Sequence, residues 1–291
     1  MTNPRADFLP SIDRKPLTLP GGARIAVWVV VNIEEWPFDE PMARTVIPPP
    51  QGGSFVPDVP NYGWYDYGMR VGIWRIIDVL DGHGVRASVS LNGSVCTAYP
   101  RIVDACLKSR WELFGHSFAQ RPLPKEKDER AAIRSTIQAI KKKTGKKPRG
   151  WMGPGLHETV DTPDILAEEG IEYCLDWVND DLPYPLKVKK GTLFSLPYTM
   201  ELNDIPIYTV QHHRSAELYE RSCDQFDTLY EEGRHSARIM AIAVHPYLTG
   251  VPHRIGYFSK IFDYLKKHDQ VVFMTGSEIL DWYKQASGYE G

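Results

Sequence analysis

The chain has 291 residues, of which 42% are apolar and 24% charged, with a net charge of −3. That length suits one barrel-sized domain, and the charge leaves no global positive field for nucleic acid. No apolar run reaches the roughly 18 residues a membrane helix needs, and residues 1–22 hold no apolar signal core, so a cytoplasmic protein without membrane partners is expected.

Residues 1–22 are expected to form an N-terminal arm and 23–291 a single domain. RIAVWVVVN (24–32) is a continuous β-branched run, the pattern of a strand buried on both faces. Segment 37–68 carries seven prolines and no periodicity, and is expected to be a loop walling a pocket. Helical spacing returns at 71–84, followed by a strand at 85–92 and a helix at 99–109. WELFGHS, from Trp111, reads as strand, and 127–145 as an amphipathic helix closed by Gly145. The basic run 141–149 at its end suits a solvated helix C-terminus. RGWMG, TPDILAEEG and IEYCLDW continue as strand, helix and strand. The helix 215–233, the strand 238–247, the helix IGYFSKIFDYLKKH, the strand QVVFMTG and the helix SEILDWYKQ complete the pattern. Seven or eight βα units predict an α/β fold, a single distorted barrel of seven or eight parallel strands. No glycine-rich nucleotide signature follows the first strand. Cys96, Cys106, Cys174 and Cys223 lack CxxC spacing and read as reduced thiols.

In such a barrel the C-terminal strand ends face one mouth. Those ends carry Glu34-Glu35-Trp36, His116-Ser117, Arg149 through Gly155, Asp176 through Asp181, and His245-Pro246. Acid, imidazole and guanidinium recurring at one end mark a candidate site. The set and its order, across about residues 24–280, resemble the NodB-type polysaccharide deacetylase family. Glu34-Glu35 falls where that family has paired aspartates, and His116-Ser-Phe-Ala-Gln120 where it has His-Ser/Thr-x-x-His. Arg149-Gly-Trp-Met-Gly-Pro, Asp176 through Asp180, and His245 resemble the remaining elements.

The chain departs from the pattern twice. Glu35 replaces the metal-binding aspartate and Gln120 the second histidine, leaving His116 as the intact ligand. A neutral amide is a poor exchange for imidazole on a zinc-like ion. With VNIEEW and HPYLTGVPHR, these changes resemble a branch that includes deacetylase-type allantoinases and cyclic imide hydrolases, which the resemblance implies act without tightly bound metal. No cofactor is therefore expected, with Glu35 and His116 the only candidates for a weakly held divalent ion. The implied partner is a small cyclic amide, and the branch implies a homo-oligomer, tetramers included.

The roles expected are these. Glu34, favoured over Glu35, acts as general base, its carboxyl raised by apolar walls such as Trp36. His245 is the acid toward the leaving nitrogen, and His116 polarises the carbonyl. Gln120 offers a donor and an acceptor to a ring of alternating C=O and N–H. Arg149 orients Asp176, as the resemblance implies. Trp36, Trp64, Tyr65 and Trp151 are candidates to stack on a flat substrate, with core packing as the competing explanation. A metal-dependent deacetylase of an N-acetylated sugar, or a non-catalytic binding barrel, are the alternatives. His83, His212 and His213 read as surface residues, while His157, His253 and Arg254 lie near possible mouth positions.

Overall fold

Among the described residues nine strands form one sheet: β1 (Ile25–Ile33), β2 (Ser88–Leu91), β3 (Glu112–Gly115), β4 (Gly150–Trp151), β5 (Tyr173–Cys174), β6 (Tyr184–Leu186), β7 (Leu193–Ser195), β8 (Arg238–Val244) and β9 (Val271–Phe273). They belong to a computed structural model that describes residues 3–49, 52–53 and 55–289. The order is β6-β7-β5-β4-β3-β2-β1-β8, with β9 also paired to β1. All the pairings are parallel except that of β6 with β7. The first half of β1 pairs β9 and its second half β2, so β1 borders β8, β9 and β2 at once. The sheet curls into a half-barrel, with an isolated bridge between Asn203 and Ala243 beside β8. The α/β barrel expectation holds, modified by the antiparallel edge strand β6.

Among the described residues the α-helices are α1 (Val59–Tyr67), α2 (Ile73–Gly82), α3 (Val95–Ala98), α4 (Pro100–Lys108), α5 (Glu129–Thr144), α6 (Thr162–Glu168), α7 (Glu217–Glu232), α8 (Pro246–Thr249), α9 (Pro252–Leu265) and α10 (Gly276–Ser287). Alternation along β1 builds the core on both sides of the sheet. Ile25, Val27, Val29, Val31 and Ile33 pack outward with residues of α2, α4, α7 and α9. Ala26, Trp28 and Val30 point inward with Phe114, Met152, Tyr173 and Leu196. α5 is capped by Asp128 and stopped by Gly145 at φ 75°, a conformation glycine adopts without strain. α10 closes the end of the barrel where strands begin: Gly276 N donates to Ser88 and Ser277 N to Glu112, the first residues of β2 and β3.

The 37–68 segment is not all loop. Its last third is α1, which runs through a π-type turn, Gly68–Gly72, into α2. A Cβ on Gly72 would lie 2.1 Å from the Pro246 carbonyl oxygen. Glycine there lets the turn press on the backbone that follows His245. The arm is held to its own barrel: Arg5 pairs with Asp164 at 2.9 Å and Arg14 with Asp180 at 2.6 Å.

Candidate active site

Three strand ends bring Glu34, His116 and His245 together. Glu34 directly follows β1, and its side chain is buried. Its Oε1 lies 3.8 Å from His116 Nε2 and 3.5 Å from His245 Nε2. Its Oε2 accepts from the Trp36 indole N–H at 2.8 Å. A carboxylate is thus flanked by two imidazoles in a site shielded from water.

His116 directly follows β3 and is pinned at several points. Its backbone N–H donates to Leu91 at 3.0 Å, and its carbonyl accepts from the Asn92 side chain. Asn92 Oδ1 in turn accepts from Glu35 N–H at 2.8 Å, tying the β1 and β3 ends together. His116 Nδ1 lies 2.8 Å from the Met152 carbonyl oxygen, which can only accept, so Nδ1 carries the proton. In the neutral ring Nε2 then keeps its lone pair, and that buried atom has no hydrogen-bond partner.

His245 closes the site from β8. Its Nδ1 donates to Asp204 Oδ1 at 2.6 Å, and its backbone N–H to Asp204 Oδ2 at 2.7 Å. Thr249 adds a third donor to the same carboxylate at 2.7 Å. Burial alone would lower the His245 pKa, but the charge and hydrogen bond of Asp204, with Glu34 beyond, push it up to about 9. His245 is therefore an imidazolium at neutral pH. For Glu34, burial favours the neutral acid, but the two imidazoles outweigh it and hold the carboxyl well below the usual range. The expected raised Glu34 pKa is thereby reversed: it faces two imidazole rings, not only apolar walls.

The remaining expected residues divide. Glu35 is half-buried and accepts from the Ser94 hydroxyl at 2.9 Å. Gln120 lies beside it, its backbone N–H 3.3 Å from the Glu35 carbonyl and its Oε1 buried without a partner. Asp176 is two residues past β5 and accepts from Gly153 N–H at 2.7 Å. Trp64 packs edge-on against Tyr247 at 4.9 Å.

Four expectations are corrected. Arg149 precedes β4 and sits at the opposite end of the sheet, bound to Glu172 at 2.6 Å and Asp281 at 2.6 Å, so it does not orient Asp176. Trp151 is fully buried on the outer face with Ile133, Ile137 and Leu166, because Met152, not Trp151, points inward. Trp36 and Tyr65 stack on each other at 4.8 Å, and neither ring face is free for a substrate. Trp36 instead steadies Glu34, and Tyr65 donates to the Glu34 carbonyl at 2.8 Å.

Sequence reasoning missed Asp204, Asn92 and Tyr198. The Tyr198 hydroxyl accepts from Asn32 at 3.2 Å and Asn203 at 3.3 Å. An Asn closing the strand SVSL just before a glycine was a visible signal for Asn92; Asp204 lies in an irregular stretch with none. A cavity of about 1230 Å³ lies between the arm and residues Val178–Tyr184, with Tyr198 in its wall; Glu34, His116 and His245 are not among its lining.

The family resemblance implies metal ligands at Glu35, His116 and Gln120. The acid and imidazole side chains that converge here are Glu34, His116 and His245, and of the three implied ligands His116 alone is among them. Glu35 Oε2 accepts from Ser94, and Gln120 offers a neutral amide oxygen, a poorer donor to a zinc-like ion than the imidazole of the family pattern.

Comparison with known proteins agrees with the motif order. The polysaccharide deacetylase family matches residues 62–174. A Schizosaccharomyces pombe protein classed with the polysaccharide deacetylases is 28% identical over 246 residues, covering 78% of this chain and 77% of its own. The Helicobacter pylori peptidoglycan deacetylase is 21% identical, over 79% of this chain and 89% of its own. Among solved structures, a Pseudomonas aeruginosa protein classed as a polysaccharide deacetylase superposes with a TM-score of 0.87 at 25% identity, over 99% of this chain and 100% of its own. PuuE allantoinase superposes over the same shares with a TM-score of 0.85 at 24% identity. Over residues 62–174 the chain is similar to the polysaccharide deacetylase family, and its fold is that of solved structures classed as a polysaccharide deacetylase and as an allantoinase.

Proposed function

We propose that this hydrolase opens a cyclic amide, an imide or a ureide, using carboxylate and imidazole groups without a tightly bound metal. The observation that carries the reading is Glu34 Oε1 set between the Nε2 atoms of two buried imidazoles that are oriented differently. His245, charged and held by Asp204, is an acid; His116, with Nδ1–H engaged, offers a lone pair. One ring that donates from Nε2 and one whose Nδ1–H is already engaged suit general acid–base hydrolysis.

In the step proposed, a water beside Glu34 and His116 Nε2 attacks a ring carbonyl as His116 takes its proton. Glu34 orients the water and stabilises the imidazolium that forms. The ring C–N bond breaks, and His245 Nε2–H protonates the departing nitrogen. The product is an acid joined to a linear amide or urea. The nitrogen of an imide or ureide is shared between two carbonyls. Each carbonyl is therefore more electrophilic than a simple amide's, and the nitrogen leaves more readily, which lessens the need for Lewis-acid activation. The fold is common to PuuE allantoinase and to a protein classed as a polysaccharide deacetylase, and Gln120 in place of a metal-binding imidazole is what supports ring opening over sugar deacetylation. The unpartnered His116 Nε2, together with relatives described as deacetylases, favours a metal-dependent deacetylase as the second reading.

The test is a substrate panel: succinimide, hydantoin, dihydropyrimidine and allantoin beside an N-acetylated chitooligosaccharide. Ring opening of at least one cyclic amide, lost in Glu34→Gln, is expected. Acetate release from the sugar with no ring opening would overturn the proposal.

A further inference from the structure

The site contains a second hydrogen-bonded chain that none of the expected roles uses. His116 Nδ1–H donates to the Met152 carbonyl oxygen at 2.8 Å. The N–H of that same peptide group, on Gly153, donates to Asp176 Oδ1 at 2.7 Å. One planar peptide unit therefore joins a carboxyl to an imidazole. Drawing on the N–H end of a peptide raises the electron density at its oxygen, so successive hydrogen bonds strengthen one another.

The local chain is built to hold this arrangement. A Cβ on Gly153 would lie 2.5 Å from the His157 carbonyl oxygen, so only glycine allows the loop to fold back so tightly. Leu156 N–H closes the turn on the Gly153 carbonyl at 2.8 Å, and Glu158, beyond the turn, neighbours Asp176. Asp176 Oδ2 and Glu158 Oε1 are both buried atoms without hydrogen-bond partners. Burial pushes Glu158 up to about 7, and burial with the charge of Glu158 pushes Asp176 well above its ordinary value. Burial and the proximity of the two acids both favour their neutral forms. Nothing in the proposed hydrolysis otherwise needs this buried acid pair.

We infer that Asp176, backed by Glu158, is a positioning residue: through the Met152–Gly153 peptide it fixes His116 with its proton on Nδ1 and its Nε2 lone pair toward Glu34. The ring nitrogen that carries the proton is set by the bond the other nitrogen makes, and here the strength of that bond is set one peptide further back. The inference rests on the hydrolytic reading of the site for its purpose, but its geometry is tested without turnover.

The experiment is NMR of the imidazole protons in the ligand-free protein, with steady-state kinetics alongside. In Asp176→Ala, the His116 Nδ1 proton moves upfield and exchanges faster, and kcat falls about 10-fold or more with KM nearly constant, the usual scale for losing such a support. Asp176→Asn keeps an oxygen acceptor for Gly153 and returns both toward wild type. Glu158→Gln lets Asp176 ionise and moves the His116 proton the other way, downfield. The Nδ1 proton of His245, held by Asp204, stays fixed throughout and reports an intact fold. The inference is overturned if Asp176→Ala leaves the His116 proton unmoved, if Asn behaves as Ala, or if Glu158→Gln shifts the signal upfield. Should Asp176→Ala fail to fold, the Asn and Glu158→Gln variants decide it. A wild type that opens no ring defeats the functional proposal alone, since the NMR outcome is independent of it.

Discussion

Replacing Asp204 with asparagine removes the charge that keeps His245 protonated. Holding an imidazole at about 9 rather than at its ordinary 6.5 corresponds to about 3 kcal/mol in favour of the charged form. Asp204 is the main favourable contributor, ahead of Glu34, and opposes the cost of burial. Without it the His245 pKa should return to 6.5 or below. If the protonated form is the acid, wild type keeps about 90% of it at pH 8 and the variant about 3%, a loss of roughly 30-fold. At pH 6 most of the loss disappears, because both proteins are then largely protonated. The assay is kcat/KM against pH on a responsive cyclic amide. The alkaline limb of wild type is expected near pH 9, and that of the variant below about 7. A limb that stays in place, or an equal loss at pH 6 and pH 8, would refute the assignment of His245 as acid. Fold stability follows the same sign. The raised His245 pKa contributes fully below about 6.5, and that contribution is lost as pH rises through about 9. Asparagine also has one oxygen for the three donors that Asp204 now accepts, so a stability loss of about 1–3 kcal/mol is expected in chemical denaturation.

Glu34→Gln keeps the shape and removes the charge between the imidazoles; kcat should fall by about 10²–10⁴, while circular dichroism stays unchanged. Trp36→Phe preserves the stack on Tyr65 but withdraws the N–H from Glu34 Oε2, and kcat should fall several-fold with little change in Tm. Arg149→Met breaks partly exposed ion pairs at the far end of the barrel. Its cost should be about 1 kcal/mol in denaturant titration, with kcat within about twofold of wild type; a large kcat loss would return Arg149 to the site.

The reliable features of the sequence were those carried by long patterns. β1 announced itself as a strand buried on both faces, and α5 by its spacing and terminal glycine. Both were placed within a residue or two. Residues at the ends of long strands were then placed correctly: Glu34 after β1 and His245 after β8. Arg149 was misplaced because β4 has only two residues, too short for any periodicity to show which end is which. The same shortness exchanged the roles of Trp151 and Met152, since a one-residue slip reverses every side chain. β6 and β7 have three residues each and were absent from the reading, and α1 was hidden by Pro60 and Gly63. Asp204 meets His245 across 41 residues of sequence, from an irregular segment. The Glu34 pKa was misjudged for a related reason: its direction depends on two imidazoles supplied by other strands. Local sequence showed only Trp36.

The central claim is that side chains, not a bound cation, break the C–N bond. The direct measurement is turnover of a cyclic amide by protein stripped with chelator, with metal content determined on the same sample. The account predicts a kcat unchanged within about twofold at far less than one metal per chain. Loss of all turnover on stripping, restored by one equivalent of zinc or another divalent ion, would contradict it.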